Sequence, residues 1–325
     1  MGQVESGNSA GNLIADPIGR ESLENNAIRV IVLPSLGGKI ASIQILPEGE
    51  ELLQQPLQPY AARTPYMSFD AGDASGWDEC LPSVAACEIA TAFGVARIPD
   101  HGDFWQVAWR VSSKNEHELA MFANGFSLPL RFSKTLRLDG ANLHVSYRLQ
   151  NLSDKPFSYV WSAHPLFAME EGDRIVLPDS ISEVTVEGSA GNRLGKPGTR
   201  HAWPNAILTN QRMSDLSRAG SITDGIGDKL FAVSPAEGWC AIERKRLKRR
   251  VELRFNPRQL PYLGLWICYG GWPDHSAARQ QCVALEPCTA DVDSLAGASS
   301  RGRARQLAPR AEHHWSLESR LGSVS

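Results

Sequence analysis

Two titratable residues stand where apolar side chains prevail. His164 lies inside "SYVWSAHPLFAM" (residues 158–169), and Glu286 closes the apolar run of "VALEPCTAD" (283–291) just before Pro287. An imidazole can donate or accept a proton near neutral pH, which suits a catalytic acid. Histidines also fill cores at intermediate burial, so a satisfied core residue is the plainer reading. Pro165 biases His164 toward an extended backbone, as at the end of a strand. A carboxylate following Val283, Ala284 and Leu285 is expected to be partly desolvated, and a desolvated carboxylate is a usable base. The same Glu could instead tie down a backbone N–H or an arginine.

A third island is "GWDECLP" (76–82) with "RIPDHGDFW" (97–105), which gathers Asp78, Glu79, Asp100, His101 and Asp103. Oxygen and imidazole groups at this density could ligate a metal. No His-x-x-x-His pair accompanies them, so neither a metal nor a cofactor is expected. Trp77, Phe104 and Trp105 offer apolar faces beside hydrogen-bonding carboxylates, a combination suited to a sugar.

The elements that must position these residues read as strands. "LHVSYRLQ" and "VELRFN" alternate apolar and polar residues with period two, each with one buried and one wet face. Further strands are expected at 27–33, 39–46, 104–112, 117–123, 130–138, 157–163, 173–177, 229–234, 238–243, 262–268, 281–286 and 313–319. Short helices are expected near 52–56 and 211–218, and a surface loop over 296–310. Many strands joined by short turns argue for an all-β protein, a large antiparallel β-sandwich. Residues 1–19 read as a loose tail and 20–325 as a single domain, with no linker or internal repeat to divide it.

Bulk properties narrow the function classes. The chain has 325 residues, 42% hydrophobic and 21% charged, with a net charge of −3. Nothing global argues for nucleic acid or an anionic membrane as partner. No run approaches the ~18 apolar residues of a membrane span, and the N-terminus lacks the regions of a signal peptide, so a cytoplasmic location is expected. The six cysteines form no CxxC pair and read as reduced thiols. The run "RKRLKRR" (244–250) reads as a solvated hairpin tip guarding a sheet edge.

Taken in order, the islands resemble the aldose 1-epimerase (galactose mutarotase-like) family. "PDHG" resembles the segment bearing its first active-site histidine. "NLSDKPFSYVWSAHPLF" resembles its strand-turn-strand ending in a His-Pro motif, and "ALEPCTADVDSL" the segment with its catalytic glutamate. "DGIGDKLFAV" (224–233) resembles the stretch carrying a substrate-binding aspartate. The resemblance covers roughly residues 25–320 and implies a mutarotase-like supersandwich with a sugar cleft on one sheet.

It implies His164 as general acid and Glu286 as general base, with His101 and Asp228 on the sugar and an arginine for which Arg63 and Arg97 are the candidates; the aromatic island adds Trp77 and Asp78 as sugar contacts. Such a pair would open the ring to the free aldehyde and close it on the other face, without metal or cofactor. Two departures stand out: Leu166 follows His-Pro where an aromatic is more usual, and "GWDECLPSV" resembles a less characterised branch. The partner is then a small sugar, and the chain a monomer or homodimer. The alternatives are a hexose-phosphate mutarotase, a non-catalytic carbohydrate-binding protein, and a glycosidase pairing Glu286 with Asp78 or Glu79, which would leave His164 without a role.

Overall fold

A computed structural model describes residues 18–274 and 278–324. Residues 1–17 of the expected tail lie outside the described residues. Among those described, two large antiparallel sheets face each other, one 11-stranded and one 8-stranded. The larger sheet runs, in spatial order, through Lys39–Ile45, Trp77–Cys80, Ser162–Ala168, Gln281–Cys288, Tyr262–Tyr269 and Ile226–Val233 at its centre. The smaller sheet is built around Leu130–Asp139, Asn142–Asn151 and Glu312–Ser323. No helix among the described residues is long and apolar enough to cross a membrane.

Alternation along each central strand decides what faces what. Leu263, Leu265, Ile267, Val283 and Leu285 point into the main core, where they meet Phe132, Tyr147 and Trp161. The intervening residues point away from the second sheet. Leu166, Cys268, Cys282 and Ala284 form a separate apolar cluster there, with Trp266 and Trp272 packed against it. That outer face carries His164, Glu286 and Lys229, and the candidate site lies on it.

Several expected elements change on inspection. The 157–163 strand is two: Phe157–Tyr159 pairs with Arg305–Leu307, and Ser162–Ala168 enters the large sheet. His164 is therefore inside a strand, not at its end. The strand expected over 104–112 begins only at Arg110. Ahead of it the Trp105 indole donates to the Asp100 carbonyl (2.8 Å) and the Trp109 indole to the Phe104 carbonyl (2.9 Å), closing successive turns.

No helix forms near 52–56, because Leu53 bridges Phe167 and the Gln54 amide donates to Leu166 O (2.7 Å), which holds the segment extended. Met213–Asp215 pairs with Asn205–Ile207 where the second helix was expected. The expected loop at 296–310 contains the helix Leu295–Ser300, its N-cap being Ser294, and the strand Arg305–Leu307. The basic run sits at a hairpin as expected, with Arg246 paired to Glu170 (2.7 Å) at the surface, but it is not solvated throughout: Arg244 is buried against Asp173 (2.7 Å).

Candidate active site

His164 faces Asp78 across one flank of its strand. On the other flank Ser162 pairs with Cys288 and Leu166 with Ala284. Midway between those two pairings, His164 is level with Glu286, where Pro165 and Pro287 lack the N–H a ladder needs. Same-face neighbours on adjacent antiparallel strands stand about 5 Å apart at Cβ. The two residues expected to act on a sugar are thus side by side on the sheet floor, not opposite one another. Gly264, directly across from Glu286, keeps the spot open: a Cβ there would come within 3.2 Å of the Glu286 carboxylate.

His101 reaches the same place from a turn. Its φ is +56°, and the next residue, Gly102 (φ +75°), could carry no Cβ, which would lie 2.0 Å from the Leu81 carbonyl. That is the physical content of "PDHG". Asp100 Oδ1 lies 2.8 Å from His101 Nδ1 and fixes the ring, while Asp100 Oδ2 accepts the Phe69 amide (2.8 Å). Burial raises the Asp100 pKa, but His101 and the Phe69 amide outweigh it and hold the carboxyl below its usual value. Phe69 stacks on the imidazole at 3.9 Å between centroids, and His101 meets His164 edge-on at 5.2 Å.

These groups line a cavity of about 430 Å³, within the usual range for a small-molecule site. Trp266 and Trp272 give it aromatic walls, and Lys229, Asp293 and Gln280 also line it. Burial, with His101 and Lys229 nearby, pulls the His164 pKa well below its usual value, and its Nδ1 is buried without a partner among the described residues. Glu286 is fully buried: its Oε2 accepts from Lys229 Nζ (2.5 Å) and Ser162 Oγ (3.0 Å), and Oε1 has no partner among the described residues. Lys229 Nζ also lies 3.4 Å from Asp293 Oδ1. Burial lowers the Lys229 pKa, yet Asp293 and Glu286 raise it more, so the net shift is upward. Burial raises the Asp293 carboxyl, against the pull of Lys229.

His101 and His164 therefore share the cavity, with Glu286 beneath its floor. The other expected sugar contacts do not join them. Trp77 alternates with Asp78 onto the core face and packs among the main core residues. Asp78 is on the outer face, but Lys39 (2.5 Å) and Arg63 (3.4 Å) occupy its carboxylate. Arg63 is itself buried, bound to Asp73, the Trp105 carbonyl and Leu36 O (3.2 Å). Asp228 points opposite to Lys229, where Arg193 and Ser189 hold its carboxylate. Arg97 lies over the Tyr66 ring, away from the cavity lining. Glu79 faces the core, so a glycosidase pair with Glu286 is not formed. Among the described residues no cluster of three His, Cys, Asp or Glu side chains is arranged to hold a metal ion.

Lys229, Asp293, Phe69 and the Trp266–Trp272 pair were not foreseen. Alternation in "IGDKLFAV" puts Asp228 and Lys229 on opposite faces, so one of them had to point at the site. Only the register against Tyr262–Tyr269, which sets Lys229 beside Trp266, says which.

The family model for aldose 1-epimerase matches residues 21–201. The chain belongs to the aldose 1-epimerase family. Among solved structures, it resembles a galactose mutarotase related enzyme from Lactobacillus acidophilus, with a TM-score of 0.69 and 15% identity over 94% of this chain and 98% of that one. It is also similar to galactose mutarotase-like proteins from Lactobacillus casei (TM-score 0.65, 14% identity, 94% and 100% covered) and Clostridium acetobutylicum (0.63, 13%, 93% and 94%). At such identities these likenesses speak to the fold, which is the galactose mutarotase-like one. No curated protein matches the chain.

Proposed function

We propose that this family member is an isomerase that interconverts the α and β anomers of an unphosphorylated pyranose sugar in the cytoplasm. The observation that carries the reading is the pair of imidazoles meeting at 5.2 Å in one aromatic-walled cavity, beside the carboxylates Glu286 and Asp293. Anomer exchange needs a proton given to the ring oxygen while another leaves the C1 hydroxyl. Burial keeps His164 neutral at physiological pH, which suits it to hydrogen-bond the ring oxygen. His101, its Nδ1 fixed by Asp100, is then the histidine placed to carry the proton. The carboxylates around Lys229 receive the other.

The charge of the site favours a sugar without phosphate. Lys229, the lysine or arginine facing the cavity among the described residues, is already bound by Glu286 and Asp293, and Asp70 and Asp100 add negative charge. Phosphate recognition calls for free cations or converging N–H groups. Polarimetry or NMR saturation transfer on free and phosphorylated aldoses tests the reading. Accelerated exchange of a free sugar is the expected result. A sugar that binds without faster exchange would instead make the chain a carbohydrate-binding protein.

A further inference from the structure

We propose that Asp293, and not Glu286, is the base that touches the sugar, with Glu286 acting through Lys229 as a positioning residue. The inference rests on the mutarotase reading and narrows its base. Glu286 is fully buried and does not line the cavity, and Lys229, which does line it, is bound to the Glu286 Oε2. Asp293 lines the cavity with its side chain 19% exposed. Its backbone is anchored as a site residue's should be: the Val84 and Ala85 amides (2.9 and 3.0 Å) and Ser83 Oγ (3.2 Å) all donate to its carbonyl. The Val84 carbonyl in turn accepts the His101 amide at 2.6 Å. Asp293 and His101 thus hang from one short segment, 83–85, at a fixed separation on the cavity wall.

Burial also raises the Asp293 carboxyl, which brings it closer to the working range of a base. Lys229, shared between two carboxylates, holds Asp293 in place and limits its charge. In the step, the Asp293 carboxylate takes the proton of the C1 hydroxyl. The released O–H electron pair forms the C1=O bond, the C1–O5 pair leaves onto O5, and O5 takes a proton from protonated His101. Aldehyde, neutral carboxylic acid and neutral imidazole result. After rotation about C1–C2, the same two transfers run backwards on the other face.

Chemical rescue separates the two carboxylates, because a small carboxylate can enter the space left by a side chain that lines the cavity. With a free aldose whose exchange the wild type accelerates, Asp293→Ala is expected to lower kcat by about 10²–10⁴-fold. KM should change little, and added formate should restore part of the rate saturably. Asp293→Asn, nearly isosteric, should lose kcat likewise if the alanine variant folds poorly. Glu286→Ala should lose rate less, largely through KM, and formate should not restore it. An Asp293→Ala or Asp293→Asn enzyme within a few-fold of wild-type kcat overturns the proposal, as does formate rescue of Glu286→Ala alone. In either case an active wild type leaves the mutarotase reading intact. A wild type that accelerates no sugar overturns both.

Discussion

Two buried lysine–glutamate pairs lie on opposite faces of the same sheet. Lys134 and Glu79 sit 3.2 Å apart in the sandwich core, both with no exposed side-chain surface, and the Tyr147 hydroxyl donates to the same carboxylate oxygen (3.0 Å). Lys229 and Glu286 sit 2.5 Å apart on the outer face, where Lys229 keeps a 10% exposed edge on the cavity and has Asp293 as a second partner. Burial raises the Glu79 carboxyl in spite of Lys134. Residue types and burial are nearly the same, so neither distinguishes a bolt from a catalytic device. What differs is a cavity beside one pair, with two histidines on its wall.

The largest effect that would sharpen this contrast is on activity. Lys229→Met should cut anomer exchange by about 10²-fold or more, since Asp293 would lose both its anchor and its charge partner. Lys134→Met should leave the rate per folded molecule unchanged and cost about 3–5 kcal/mol of stability, the penalty for stranding a buried charge. Exchange rates and urea unfolding of the two variants, side by side, check both. If Lys134→Met slowed exchange in folded protein as much as Lys229→Met, the contrast would collapse.

Replacing both members of a pair gives the next contrast. Apolar substitution of a whole buried ion pair is often neutral or stabilising by about 1–4 kcal/mol. Lys134→Met with Glu79→Leu should therefore regain most of the stability lost by Lys134→Met and stay active. Lys229→Met with Glu286→Leu should regain no activity however well it folds: a recovered rate would mean the outer pair is only structural. Removing a histidine is a separate lesion of the same site, and His164→Asn should slow exchange by about 10²-fold through the lost hydrogen bond to the ring oxygen.

The smallest effect concerns pH. The pKa of His164 is lowered in the folded protein, so the unfolded chain binds its proton at higher pH. Its contribution to stability is full above about pH 6.5 and is lost as the pH falls toward the folded value. The wild type should lose more stability than His164→Asn between pH 7 and pH 5, measured by denaturant unfolding. A larger loss in the variant would contradict the burial account.

Period-two alternation and turn chemistry made the β-sandwich legible, because each strand announces its own wet and dry faces. "PDHG" stood out by its chemistry and its family resemblance, whereas the turn that seats His101 at positive φ, with Gly102 pressed on the Leu81 carbonyl, is a tertiary contact that the segment alone does not encode. Register was not legible. Whether Asp228 or Lys229 meets the site, and whether Trp77 turns inward, depends on which strands become neighbours, and no short run of residues encodes that. Arg63 and Asp78 looked available as sugar contacts because their partners, Lys39 and Asp73, lie elsewhere in the sequence. Asp293 was hidden for a similar reason, since its contacts at the cavity, backbone bonds to Val84 and Ala85 and the ion pair with Lys229, come from distant parts of the chain.

In the function proposed above, the outer-face cavity exchanges anomers of a free sugar with His101 as its proton carrier. Magnetisation transfer between the α and β anomeric protons of an unphosphorylated aldohexose, with wild type and His101→Asn in turn, tests it most directly. Exchange well above the buffer rate is expected with wild type, and a fall of about 10²-fold or more with the variant. Equal exchange from the two proteins, or none above buffer from the wild type with any aldose that binds, would contradict it.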